Sequence, residues 1–552
     1  MRALIPTLLL APLIGPMFGQ PVVYYRGIVN AGSYAPPGLP GGSIALGSVF
    51  TIFGRGLGPS SSPSLSFPLG TSLGGVTIQV TQGSSLVSAI PVFVSGGQIN
   101  AIMPSNTAQG LNSLRVTYNG QTSNSVPVNI VNSSFGIYTA TGTGIGPGIF
   151  QNYVSGQAPP LNSNATAAKP GQLAILWGTG LGPAPFPDNV APTVMTLSTK
   201  TEVFVGGISA QVVYSGRSGC CAGSDEIQFT VPNNAPTGCW VPVYVRTGGT
   251  VVSNVTTMAI DPGGAQCTES ANALATPLIK GGNLGIILAM RHSVDEDLGT
   301  SSGGEAVTDY VWEIMTRQTA GPFNFNPIIS IPPAGTCTAY GAAGDLGTTA
   351  LPAGTTGSGS TLDAGKTVTL SGGASPVSVA LSTPAGVTLG EAGAAVNGLT
   401  WFPSSLVLNP GSFALSGGGT QVGSFQASFT MPAPLTWSNR NQTSTVTRSQ
   451  GLTLNFAGAA SGATVVASGL AVDLPHNSSA MFLCVAAPGA TSITVPGDIL
   501  ANFPATAVTN QYKGAIYLGE WPFANPATFQ ASGLDFGAVL PGSILGKTVT
   551  FQ

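Results

Sequence analysis

The chain has 552 residues and a mass of 55.1 kDa, with 16 Lys and Arg against 19 Asp and Glu, a net charge of −3 and only 6% charged residues. Charge this sparse, with no basic run, offers no electrostatic footprint for DNA or RNA, and it leaves the outer faces of a helical bundle without their usual Glu, Lys and Arg. The 77 Gly and 44 Pro stop short of a disordered composition because 43% of the residues are hydrophobic, enough for several buried cores.

Met1-Arg2, the apolar run from Ala3 to Phe18 and the small Gly19 form the pattern of a secretory signal, expected over residues 1–19 with cleavage near Gly19/Gln20. No Cys follows that would take a lipid anchor. No later segment offers about 18 uninterrupted apolar residues, so no transmembrane span is expected in the mature chain. Six cysteines, Cys220, Cys221, Cys239, Cys267, Cys337 and Cys484, suit an oxidising compartment. Adjacent Cys220 and Cys221 are badly placed to bridge each other, so each is expected to seek Cys239 or Cys267, leaving Cys337 with Cys484. Zinc is the rival reading, disfavoured by the lack of a C-x-x-C pair and by a total of two His.

Two stretches then read alike. Val49-Phe50-Thr51-Ile52-Phe53 and Leu173-Ala174-Ile175-Leu176-Trp177 each run into a G-x-G-L-G-P turn, at Gly54–Pro59 and Gly178–Pro183. Gln98–Pro104 matches Glu226–Pro232, and the alternating runs Leu114–Tyr118 and Val241–Val245 close at Asn119-Gly120 and Gly248-Gly249. Short alternating runs punctuated by such turns are the sequence form of an antiparallel sandwich. The fold class expected is all-β: tandem immunoglobulin-like antiparallel β-sandwiches over 20–137 and 138–266, then a further β-rich region. A phosphate loop needs a helix directly after its glycines, and here Pro59 or Pro183 follows, so a structural turn is the preferred reading.

The ordered motifs Asn30-Ala31-Gly32-Ser33-Tyr34, Val49–Gly58, Pro147-Gly148-Ile149-Phe150, Trp177–Gly182, Tyr214-Ser215-Gly216 and Ile227–Pro232 resemble a family of secreted acidobacterial-type proteins of uncharacterised function, whose modules resemble the immunoglobulin-like IPT/TIG fold. The match covers residues 28–262. It implies an extracellular location and this fold, and it supplies no catalytic residues. The chain departs from the pattern at Gly219-Cys220-Cys221-Ala222-Gly223, which suggests a local disulfide there.

Residues 267–280 read as a linker, and 281–552 as a β-rich C-terminal region of one or two sandwiches, with strands expected at Thr367–Leu370, Val377–Leu381, Phe425–Phe429, Leu452–Phe456 and Thr548–Phe551. Pro434–Asn439, Arg448–Leu452 and Phe482-Leu483-Cys484 resemble tail modules of the same secreted proteins. Gly341 to Gly365 is low in complexity and reads as a flexible surface loop. Six acids fall within 295–313. On a helix, Glu305, Asp309 and Glu313 would share a face and, with His292, suggest a cation site. The alternation of Tyr310, Trp312 and Ile314 favours a strand instead, on which the acids are expected to fall apart as a solvated acidic loop without metal.

Gly70–Gly74 and Gly299–Gly303 match the G-x-S-x-G of a hydrolase elbow at Ser72 and Ser301, but Ser72 leads into a strand rather than a helix, and a triad must draw on His292 or His476. No catalytic residue, cofactor or metal is therefore assigned. The expected function is a secreted, non-catalytic surface or matrix protein, adhesive or structural, with an extracellular protein or glycan as its unknown partner. The alternatives are an extracellular carbohydrate-binding protein, for which Trp437 beside Asn439 and Arg440 is the best platform though core filling is the preferred role of Trp437, and a secreted hydrolase with an unrecognised site. So few titratable groups predict a stability nearly constant from about pH 4 to 8.

Overall fold

The computed structural model describes residues 19–296, 304–343, 361–372, 377–380, 398–402, 406–473, 478–506 and 514–552. The expected signal segment up to Phe18, most of the low-complexity loop, Ser301 and His476 lie outside them.

The first two regions are antiparallel sandwiches built the same way. In the first, Val49–Arg55 pairs with Gln98–Ile102, which pairs with Ser85–Val94, then Val76–Gln82, Gly110–Tyr118 and Val126–Val131. In the second, Leu173–Thr179, Asp225–Thr230, Ile208–Arg217, Thr201–Val205 and Gly238–Thr247 follow in the same order, with Thr256–Ile260 beside the last. The repeat in sequence is thus a repeat in topology. Each sandwich closes because one long strand serves both layers: Ser85–Ala89 pairs with Val76–Gln82, while Ile90–Val94 turns to pair with Gln98–Ile102. Alternation puts Val76, Ile78 and Val80 in the core opposite Leu114 and Val116. The hairpin turns are set by their residues, since Asn119 and Gly120 both adopt positive φ (50° and 75°) and Gly248 and Gly249 do likewise (61° and 80°).

The expected boundaries shift in two places. Gly136 and Ile137 pair with Thr179 and Gly178, so they belong to the second sandwich. The expected linker 267–280 is packed: Leu274, Ala275 and Leu278 are buried, a short helix runs over Ala275–Lys280, and Cys267 is bonded to Cys239. Apolar residues at 274, 275 and 278 gave that segment a face to bury, which composition alone concealed.

The C-terminal region is organised by one large sheet. Gly282–Glu296 and Gly304–Gln318 form a long hairpin, the last strand, Phe536–Phe551, lies parallel to Gly282–Glu296, and Gly514–Trp521, Thr464–Asp473, Ser478–Val485 and Cys337–Ala343 complete the order on that side. One face of this sheet carries Ile287, Ala289, Val311 and Val539 against the four-stranded sheet that contains Gly411–Gly417 and Phe425–Met431. Further along the same face, Ile516, Leu518, Val549 and Phe551 meet the small sheet of Thr436–Trp437, Leu452–Ala457 and Ser492–Val495. The opposite face, with Ile286, Leu288, Met290, Ala538 and Leu540, packs on Trp240, Leu274, Leu278 and Phe325. A strand buried on both faces must be apolar throughout, which is why Leu284 to Met290 runs without a polar residue.

Candidate functional site

The six cysteines form three bonds, Cys220–Cys221, Cys239–Cys267 and Cys337–Cys484. The last is the expected pair and joins register partners on adjacent strands. The expectation for Cys220 and Cys221 is corrected: they bond each other. Cys239 packs with Trp240 against the C-terminal region, whereas Ala222 packs on the first sandwich, so the two candidate partners sit at opposite ends of the second sandwich.

The joint between the two sandwiches is polar and buried. Arg217 pairs with Asp225, and its Nη2 donates to the carbonyls of Gly47 in the first sandwich and Gly182 in the second, each at 2.8 Å. Asp225 Oδ2 accepts from the amides of Gly180 and Leu181 at 2.7 and 2.8 Å, so this ion pair holds the G-x-G-L-G-P turn. The turn needs its glycine: Gly180 has φ 114°, and a Cβ there would lie 2.1 Å from the Ser134 carbonyl. Asn30, the first residue of the Asn30-Ala31-Gly32 motif, is fully buried and donates to the carbonyls of Ser134 and Thr179 while accepting from Gly32 and Ser33. At the far end, Tyr244 and Arg246 of the second sandwich both reach Asp498, each at 3.1 Å.

The acids of the long hairpin are not a solvated loop. A strand repeats every second residue, so Glu305, Asp309 and Glu313 do share one face, spaced about 13 Å apart along the strand, and each meets a different fate. Asp309, fully buried, accepts from Arg291 Nε and Nη2 at 2.8 and 2.9 Å and from the amides of Val407 and Leu408 at 2.6 and 2.7 Å. Burial pushes Glu305 up, but its bonds to Ser293 and Arg440 outweigh that and hold it below the usual carboxyl range. Glu313 is fully buried with both carboxyl oxygens unpartnered, and burial, with Asp363 nearby, pushes it up to about 8. His292 projects from the other face beside Tyr517, and burial, then Arg440, lowers its pKa. The drawn cation site is therefore not assembled, and no group of three or more metal-ligating side chains occurs among the described residues.

Trp437 is 5% exposed and sits in the core with Phe456 and Val549. Its Nε1 donates to Asn439 Oδ1 at 3.0 Å, and Asn439 in turn donates to the Thr453 carbonyl. Arg440 bonds the carbonyls of Ser293 and Gly546 and pairs with Glu305. These three residues lock the small sheet to the hairpin, and Trp437 offers no open ring face to a sugar. Ser72 sits on the two-residue strand Ser72–Leu73 that turns through Gly74 and Gly75 into Val76–Gln82, with no helix behind it.

The polar feature that spacing did not reveal is a row across four neighbouring strands. Glu520 is the register partner of Ser543, Ser543 of Arg291, and Arg291 of Asp309. Arg291 and Asp309 satisfy each other. Glu520 Oε2 accepts from the Ala460 amide at 2.7 Å, but its Oε1 and the Ser543 hydroxyl are buried without partners, and burial raises the Glu520 pKa. These residues lie far apart in sequence, so only the strand order brings them together.

No family model and no curated protein matches the chain. Solved structures superpose on it only weakly. The plexin A4 extracellular region is 13% identical over 42% of this chain, which spans 17% of that protein, with a TM-score of 0.15. Domains 5–6 of the S-layer protein SbsC are 14% identical, covering 44% of this chain and 98% of theirs, TM-score 0.16. The Yersinia pseudotuberculosis adhesin InvE is 15% identical over 39% of this chain and 56% of its own, TM-score 0.12. Overlap this low passes no function to the chain. The sheets themselves define the class: tandem immunoglobulin-like antiparallel sandwiches with a further β-rich region.

Proposed function

We propose that the protein is a secreted, non-catalytic surface or matrix protein whose modules act as a stiff scaffold, and that it belongs with the secreted acidobacterial-type proteins its motifs resemble. The observation that carries this reading is the pair of packed joints. Asn30, Arg217 and Asp225 tie the first sandwich to the second, and Trp240, Tyr244 and Leu278 share cores with the C-terminal region. Domains of one chain move relative to one another unless their interface is large and apolar, as the shared cores of the second joint are, and at the first joint buried hydrogen bonds that are all answered fix the orientation instead. Three disulfides suit an extracellular setting.

The test is to immobilise the chain from Gln20 and measure retention of purified envelope fractions, alongside a hydrolase substrate panel. The reading predicts retention of envelope material without turnover. Turnover abolished by replacing one side chain would make the protein an enzyme and end this proposal.

A further inference from the structure

Glu520 lines a cavity of about 400 Å³, between the edge strand Phe425–Met431 and the loop around Ala460, within the size range of small-molecule sites. Thr430, Ser461 and Asn525, all exposed, line it as well. None of the described residues lining it is Lys, Arg or His.

Glu520 itself is 1% exposed, with one carboxyl oxygen held by Ala460 and the other without a partner, and Ser543 directly across the strand pair is also unpartnered. A buried carboxylate is stable only with a proton or a cation to answer it. Two other buried acids in this chain have an arginine beside them: Asp225 pairs with Arg217 and Asp309 with Arg291. At Glu520 no basic side chain among the described residues lines the cavity, so the place of the arginine is open to a cationic group of a ligand, in competition with a proton. The hydroxyls and the amide around it offer both donors and acceptors, which suits a ligand bearing hydroxyl groups of its own.

We propose that this cavity binds a small ligand carrying a primary ammonium group among hydroxyls, the chemistry of an amino sugar. The ammonium donates to Glu520, and Thr430, Ser461 and Asn525 take the hydroxyls. This goes beyond the scaffold reading and does not depend on it.

The experiment titrates the chain from Gln20 with glucosamine, using calorimetry and ligand-observed NMR, with glucose and N-acetylglucosamine as arms that keep the hydroxyls and lack the cation. A hydrogen bond between charged groups in a buried site favours glucosamine over both by at least about ten-fold. Glu520→Gln preserves an acceptor for the Ala460 amide and removes the charge, and it brings glucosamine down to the level of the neutral sugars. Ser461→Trp, on the exposed loop, fills the mouth of the cavity and abolishes binding while leaving the melting temperature unchanged. No glucosamine binding by the unmodified chain, equal binding of all three sugars, or full binding by Glu520→Gln overturns the proposal.

Discussion

The strand Val76–Gln82 of the first sandwich alternates buried and open positions, whereas Gly282–Glu296 of the C-terminal region is buried continuously from Leu284 to Met290. The difference extends to polar groups. In the repeated half, buried Asn30, Arg217 and Asp225 have their hydrogen bonds answered by other buried groups, and they join one sandwich to the next. In the C-terminal sheet, Asp309 is answered in the same way, but Glu313, Glu520 and Ser543 are not. A satisfied buried network fixes orientation, and an unsatisfied buried group costs stability unless a proton or ligand completes it. The first half thus answers its buried charges across a joint and leaves only the hydroxyls of Thr107, Thr247 and Thr257 open, whereas the second half leaves buried carboxyl oxygens open.

The largest effects fall on the covalent and ionic ties that distinguish the two halves. Removing the Cys337–Cys484 bond, which spans 147 residues, by a double Cys→Ala change is expected to destabilise the C-terminal region by about 5 kcal/mol. Urea unfolding followed by tryptophan fluorescence reads this, and an unchanged midpoint would mean that the sheet needs no tie at its edge. Asp225→Ala strips Arg217 of its partner and releases two turn amides, with an expected cost of about 3–5 kcal/mol. The same substitution at Asp309 should cost a similar amount, and a large inequality between them would separate the two networks in kind.

A third effect is a dependence on pH. Glu313 is raised to about 8 in the fold, against about 4.3 for an unfolded glutamate. Between those values the folded chain keeps a proton that the unfolded chain releases, so the Glu313 contribution to stability is full below about pH 4 and is lost as the pH rises towards 8, at up to about 1.4 kcal/mol per unit. Glu269, raised to about 7 by burial against its bonds to the Cys239 and Trp240 amides, adds in the same direction. The flat profile expected from composition is thereby replaced by a decline. Melting temperatures measured from pH 4 to 8.5 should fall, and Glu313→Gln should flatten the slope. The smallest effect is expected at Cys220–Cys221, where the closed loop has no intervening residues and a double Cys→Ser change should cost under about 1 kcal/mol. A large loss there would give the loop on the first sandwich more weight in the joint than its contacts suggest.

What was legible in the sequence follows the same division. Alternation and G-x-G-L-G-P punctuation predict both sandwiches because strands such as Val76–Gln82 and Gly110–Tyr118 keep one open side and turns such as Asn119-Gly120 and Gly248-Gly249 need positive φ. The acids within 295–313 suggest a solvated loop, even though Tyr310, Trp312 and Ile314 alternate as a strand does, because acids that are buried look in sequence like acids that are solvated. The packed segment 267–280 was hidden by its small residues. Arg217 and Asp225 are eight residues apart, and nothing in that spacing shows that they meet in a closed joint. Glu520 and Asp309 are separated by more than two hundred residues, and strand order alone aligns them. Trp437 draws notice in the sequence for its polar neighbours, and in the fold Asn439 accepts from its indole and holds it inside.

The central claim is that the regions are fused through their cores rather than strung as beads. Differential scanning calorimetry of the chain from Gln20 tests it most directly. The account predicts that the second sandwich and the C-terminal region unfold in a single transition whose calorimetric and van't Hoff enthalpies agree. Separate transitions, each reproduced by an isolated region, would contradict it.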